Sequence, residues 1–209
     1  MVGPSSSHTL GAAKLGAFVR QFSAASLSSC QVVLYGSFAQ TYKGHRTDIA
    51  IVGGLIGIPY DDERLRNSFE IAREMGFSCE ISASESTLYS GNVAAFNIAT
   101  PDGKSYSIYG ESIGGGRINI FKINSMSVDI DGEYPTLITV HKDAPGILAK
   151  ITQIIASENI NIAFLKLFRE EKHESAILVA QTDEALPPEA IQRIAGFDLV
   201  LEAMFIAPL

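Results

Sequence analysis

The sequence predicts an α+β fold in two units, and three patterns carry that expectation. Leu10, Ala13, Ala17 and Phe18 recur at helical spacing. Residues 77–83, 93–100 and 105–109 read as strands of a meander. Residues 136–206 read as strand, helix, strand, strand, helix, strand. Acids, Gly132 and Pro135 cluster over residues 129–135, which sets the expected units at 1–134 and 135–209.

Taken in order, the first unit opens with a helix from Leu10, followed by a small-residue loop at 23–29 and a buried strand at 31–35. Gly36-Ser37 reads as a turn. Thr47 or Asp48 is placed to cap a helix over the apolar run 49–58, where Gly53 and Gly54 weaken the helix but permit close packing. Residues 61–74 form the clearest helix: Leu65, Phe69, Ile71 and Ala72 mark its apolar side, and Gly76 stops it. The turn Pro101-Asp102-Gly103-Lys104 joins two strands of the meander, and Gly114-Gly115-Gly116 precedes a strand at 117–123. That triplet offers a backbone nest for an anion or a flexible crossing. No helix or Lys-Ser/Thr pair follows it, so it matches neither the phosphate loop nor the dinucleotide fingerprint.

In the second unit a strand at 136–141 leads through Asp143-Ala144-Pro145-Gly146 into a helix marked by Ile147, Leu148, Ile151, Ile154 and Ile155. Strands at 160–169 and 175–182 follow, then a helix begun by Pro187-Pro188 and a last strand at 198–206. This is the ferredoxin-like order. Such a sheet has a small core and exposed edges, so pairing with a second copy or another domain is expected.

The 209 residues are 46% hydrophobic, enough for buried cores, and carry a net charge of −7 with no dense Lys/Arg run. Nucleic acid and anionic membrane surfaces are therefore not expected partners. No apolar stretch approaches the roughly 20 residues of a membrane span, and no basic segment leads an apolar one, so a cytoplasmic protein is expected. Cys30 and Cys79 read as buried reduced thiols. Two cysteines cannot supply the usual four thiolates of an iron–sulfur or structural zinc centre, so no metal ligands are assigned here and another chain would have to complete any such centre.

Two stretches look like sites. Gly3-Pro4-Ser5-Ser6-Ser7-His8-Thr9 sets hydroxyls and an imidazole at a helix start, where free backbone N–H groups and the dipole favour a small carboxylate. The same residues also serve as ordinary helix caps. Lys43-Gly44-His45-Arg46-Thr47-Asp48 gathers a base, two cations and an acid. His45 reads either as a surface or capping residue or as a general acid/base. Lys43 and Arg46 would lower its pKa and Asp48 would raise it, so sequence leaves its charge open.

The Asp143-x-Pro145-Gly146 turn inside β-α-β-β-α-β resembles the ACT domains that regulate amino-acid enzymes. The resemblance implies a ligand site lined by Asp143, Gly146, Asn159 and Asn161, taking a small amino acid, and it also admits a monovalent cation. The hydroxyl motif, Tyr35-Gly36-Ser37 and Lys43-Gly44-His45-x-Thr47-Asp48, with this ACT-like tail, resemble the beta chain of bacterial iron–sulfur-dependent L-serine dehydratase (L-serine ammonia-lyase) over nearly the whole chain. The sequence departs from that family at its front, where a short segment usually precedes the hydroxyl motif, so the natural start is expected upstream of Met1. It departs again near residues 89–92, where some relatives place a histidine.

The resemblance implies a cytoplasmic lyase of amino-acid catabolism and gluconeogenesis that uses a 4Fe–4S cluster on a partner alpha chain and no pyridoxal phosphate. Iron would act as Lewis acid on the serine hydroxyl while a base takes the α-proton; aminoacrylate, then imine, would yield pyruvate and ammonia. It assigns Ser5, Ser6, Ser7 and Thr9 to substrate binding, His8 and His45 to acid/base or orienting roles, and homo-pairing to the ACT domain. The competing reading is a non-catalytic amino-acid-sensing regulatory protein.

Overall fold

The computed structural model describes residues 7–24, 27–169 and 174–209. Ser7–Gly11 forms a single π-helical turn that runs into α1, Ala12–Phe22. Of the predicted stripe, Ala13 and Phe18 are buried and Leu10 and Ala17 half-buried; Ala12, Leu15, Val19 and Phe22 complete the buried face.

After β1, Ser29–Tyr35, the structure departs from the expected turn. Gly36–His45 is a helix, α2. Its sequence hides it, because Phe38 is the one residue it buries and no apolar stripe marks its face. Gly36 starts it at a φ of +54°, where an added Cβ would lie 2.3 Å from the Gly91 carbonyl oxygen. Arg46, also left-handed at φ +57°, then turns the chain directly into α3, Thr47–Ile56. Neither Thr47 nor Asp48 is the N-cap; Asp48 instead accepts a hydrogen bond from the Ile49 N–H at 2.8 Å.

The single helix expected over residues 61–74 is divided into a 3-10 turn, Glu63–Asn67, and α4, Ser68–Glu74. Asp62 caps the turn by accepting from the Arg64 N–H at 2.8 Å, and the Ser68 hydroxyl donates to the Leu65 carbonyl. Leu65 and Ser68 both press on Gly53 of α3, so packing and not propensity sets the break. Phe69, assigned to the apolar side, is 38% exposed.

The strands β2, Ser78–Ala83, β3, Asn92–Ala99, β4, Ser105–Gly114, β5, Arg117–Ile123, and β6, Met126–Ile130, complete a six-stranded sheet of order β2-β1-β3-β4-β5-β6. β1 and β2 are parallel, and β1, β3, β4 and β5 pair antiparallel in turn. β4 runs past the expected residue 109, and the glycine triplet, all at positive φ, closes its hairpin with β5. Leu15 of α1 meets Gly110 of β4, while Val52 and Ile56 of α3 pack with Cys79 and Ile81 of β2. The two helices thus cover one face of this sheet.

The chain divides into compact units of Met1–Ser125 and Met126–Leu209. In the second, β7, Thr136–Lys142, α5, Ile147–Ser157, β8, Ile162–Arg169, β9, Ser175–Thr182, α6, Pro188–Ala195, and β10, Val200–Ile206, follow the ferredoxin-like order. They build an antiparallel sheet of order β10-β7-β9-β8. Ile147, Ile151, Ile155, Ala190 and Ile194 from the helices pack on Leu137, Leu178 and Ala180. Among the described residues no helix is long and apolar enough to cross a membrane.

Candidate functional site

Glycines bring the two site-like stretches together. A Cβ on Gly16 would lie 2.3 Å from the Ile51 carbonyl oxygen, and one on Gly54 would lie 2.1 Å from that of Ala13. With only hydrogens there, α1 and α3 touch backbone to backbone. Gly16 meets Ile51 and Arg20 meets Gly57 in the same order along both helices. The helices therefore run in the same sense, and their N-terminal ends arrive together.

At that meeting point His8 and His45 lie with ring centroids 4.6 Å apart and planes at 72°. Phe38 supports the His8 ring edge-on at 5.5 Å. The Ser37 hydroxyl lies 3.3 Å from His8 Nε2. Ser37 is itself fixed, since its N–H donates to the Gly91 carbonyl at 3.2 Å and its carbonyl accepts from the Thr41 hydroxyl at 2.8 Å. Burial, with a smaller contribution from His45, lowers the His8 pKa from 6.5, so the imidazole is neutral at pH 7. Burial raises the Asp48 carboxyl above its usual range, against the Ile49 hydrogen bond and Lys43.

Three polar atoms of the same segments are buried without a partner among the described residues: Thr9 Oγ1, next in sequence to His8, Thr47 Oγ1, two residues after His45, and Asn92 Oδ1. Asn92 donates from Nδ2 to the Ser112 carbonyl at 3.3 Å and bridges Gly36 at the start of α2. An unmatched buried hydroxyl or amide oxygen costs about 1–3 kcal/mol, a cost that a polar ligand can offset. Beside α2 runs a groove of about 510 Å³ whose lining includes Gly36, Gln40, Ser84, Ser86, Thr87 and Ser90. Near residues 89–92, Tyr89 packs on Tyr35 at 5.2 Å, and Asn92 supplies the polar group.

Of the sequence-assigned residues, the structure brings together His8 and His45; Thr9 follows His8, with its hydroxyl buried. Ser5 and Ser6 lie outside the described residues. Ser7 begins the π-helical turn. Sequence reasoning missed Ser37, Phe38 and Asn92, and read Thr47 only as a cap. The nearest signal was the Gly36-Ser37 pair after a strand, read as a turn because the polar helix behind it has no apolar stripe.

The four residues assigned to the ACT ligand do not form one pocket within a single chain. Asp143 and Gly146 stand before α5, while Asn159 and Asn161 stand beyond its other end. Its 11 residues span roughly 16 Å. Asp143 accepts an ion pair from Arg169 at 3.0 Å, and Asn161 donates to Asp183 at 2.8 Å.

The residues present do not fit an iron–sulfur cluster. Among the described residues no group of three or more His, Cys, Asp or Glu side chains is gathered for a metal, and Cys30 and Cys79 face each other across β1 and β2.

Fold and site together define a two-unit chain: a mixed α/β unit with a histidine pair at converging helix starts, then a ferredoxin-like unit. The family model for the serine dehydratase beta chain matches residues 1–88, and that for the ACT domain matches residues 135–197. Over 207 residues the chain is 32% identical to the probable L-serine dehydratase, beta chain, of Bacillus subtilis (strain 168), covering 99% of this chain and 94% of that one. It is 30% identical over 207 residues to the L-serine dehydratase, beta chain, of Peptoniphilus asaccharolyticus, covering 99% and 93%. A D-3-phosphoglycerate dehydrogenase of Synechocystis sp. is 27% identical over 189 residues, 87% of this chain and 33% of that one. The chain belongs to the serine dehydratase beta chain family and ends in an ACT domain.

Proposed function

We propose that this chain is the substrate-holding subunit of a cytoplasmic L-serine dehydratase that works with an alpha chain carrying a 4Fe–4S cluster. The observation that carries the reading is the His8–His45 contact, flanked in sequence by the unmatched hydroxyls of Thr9 and Thr47. Serine offers a carboxylate to these hydroxyls and to the free N–H groups of two helix starts. His8, held neutral by burial and faced by Ser37, is suited to accept the α-proton. His45 orients it and shares the proton. Loss of that proton and of the β-hydroxyl leaves aminoacrylate, which becomes the imine and hydrolyses to pyruvate and ammonia. The cluster, on the alpha chain, supplies Lewis acidity when bound.

The ACT unit reports an amino-acid ligand. Asp143 already meets Arg169, so a monovalent cation would compete with a guanidinium, whereas an amino acid brings its own carboxylate. Homo-pairing through β8 is supported by its place at the sheet edge and by Phe164, Leu165 and Leu167, all exposed.

The test is anaerobic co-expression with the alpha chain and a pyruvate assay on serine and threonine. His45→Ala should abolish turnover. Serine turnover by the purified single chain would overturn the two-chain reading. Full turnover by His45→Ala, with ligand-linked stabilisation intact, would leave an amino-acid sensor in its place.

A further inference from the structure

Both cysteines of the chain lie outside the histidine site, yet they lie together. The parallel register of β1 and β2 sets Cys30 directly opposite Cys79. Neighbouring strands are about 4.8 Å apart, inside the Cα separation of about 4.4–6.8 Å that disulfides span. Both side chains face the helix-covered side of the sheet. Cys30 is 1% exposed, whereas Cys79, which packs on the Val52, Ile56, Ile58 and Ala72 cluster, keeps partial exposure because β2 is the sheet's edge strand. Each thiol is the other's nearest cross-strand neighbour in the ladder. Registered opposition and one open side are two separate observations, and the proposed dehydration uses neither of them.

We propose that Cys30 and Cys79 form a redox-modifiable dithiol that a low-molecular-weight disulfide closes into a reversible intramolecular bridge. Cys79, the accessible member, reacts first. Its thiol gives up a proton to solvent, and the thiolate attacks one sulfur of the small disulfide, expelling one small thiolate. The Cys79 thiol opposite it and burial push the Cys30 thiol above the usual thiol range, so it stays protonated until this step is complete. Cys30 then passes its proton to the departing group and displaces the second small thiolate from Cys79. Two protein S–H groups become one S–S bond, and the small disulfide is reduced to two thiols.

Geometry also sets the character of the bridge. A disulfide draws its Cβ atoms to about 3.5–4.5 Å, closer than opposed residues of a regular ladder, so the edge strand must be pulled inward. Bridges closed at such a cost have more oxidising potentials and reopen readily. The bridge encloses α2, α3 and α4, and with them Ser37, His45 and Thr47. Oxidation therefore ties the edge of the sheet to the segment that carries half of the histidine site.

The experiment treats the full-length reduced chain with excess oxidised glutathione and reads intact mass, free thiols and a peptide map. The expected result is loss of two hydrogens, no free thiol, one linked peptide pair holding Cys30 and Cys79, and full reversal by dithiothreitol. Cys30→Ser should stop at a stable glutathione adduct on Cys79, and Cys79→Ser should leave Cys30 unmodified. The wild-type map needs no variant to fold. A wild-type chain that keeps glutathione on Cys79, keeps two free thiols, or links two copies through these residues would overturn the proposal.

Discussion

His8 and His45 meet at 4.6 Å between ring centroids although one sits before α1 and the other ends α2. The meeting has a measurable electrostatic consequence. Burial first, and His45 second, hold the His8 pKa below 6.5. A group whose folded pKa lies below its unfolded value takes up its proton later when folded. Its share of stability is complete above 6.5 and is lost as pH falls from there towards the folded value. Between about pH 7 and about pH 5 the wild type should lose more stability than His8→Gln, measured by urea midpoints. In His45→Gln the smaller cause is removed, and an NMR titration should find the His8 pKa moved upwards.

Thr47 is fully buried and its hydroxyl is unmatched. Thr47→Val, of nearly the same shape, should raise stability by about 1 kcal/mol, because an unsatisfied polar atom is removed. The same substitution should weaken serine turnover in the complex, seen chiefly as a higher KM. Unchanged kinetics would show that the hydroxyl does not meet substrate.

The close approach of α1 and α3 is what brings the site together. Gly54→Ala would place a methyl 2.1 Å from the Ala13 carbonyl oxygen, a backbone atom that cannot yield cheaply. Destabilisation of about 3 kcal/mol is expected from thermal or urea unfolding. Because the helices must part, His8 and His45 should part with them, and activity should fall in molecules that remain folded.

Arg46 joins α2 to α3 in the left-handed region at φ +57°. Arg46→Ala and Arg46→Gly remove the same guanidinium, but only glycine adopts this backbone without a Cβ clash. The glycine variant should be the more stable of the two by about 1 kcal/mol. Equal urea midpoints would indicate that the linker relaxes when the side chain is removed.

Exposed Leu167 lies on the edge strand β8, on which the proposed homo-pairing depends. Leu167→Lys should lower the sedimentation mass of the full chain without changing its far-ultraviolet spectrum. A mass unaffected by this charge would move the pairing surface elsewhere.

Much of the second unit was legible because its elements are strongly periodic. Ile147, Ile151 and Ile155 recur at helical spacing and are buried on one side of α5, and β9 covers the expected residues 175–182 around the apolar run 176–180. α2 was not legible, since a helix that buries Phe38 alone leaves no stripe to read. Nor was the break at Ser68, which follows from Leu65 and Ser68 packing on Gly53. At the site, His8 and His45 stood out as residue types near helix starts, whereas Ser37 and Asn92 gained significance only by position. Their chemistry is ordinary until Ser37 faces an imidazole and Asn92 is left with an unmatched oxygen.

The sequence by itself determined the two-unit α+β organisation, the ferredoxin-like tail, the shortage of thiols for a cluster, and the two histidines. Local periodicity and residue chemistry are enough for these. Only the tertiary structure decided that the histidines are neighbours, that Thr9 and Thr47 are buried with unmatched hydroxyls, and that Cys30 faces Cys79. Each depends on how segments distant in sequence are placed. Gly16 and Gly54 bring two helix starts to one place, and the parallel register of β1 and β2 brings two sulfurs together. Spacing along a chain records neither a helix contact nor a strand register, because both are settled when backbones pack against each other.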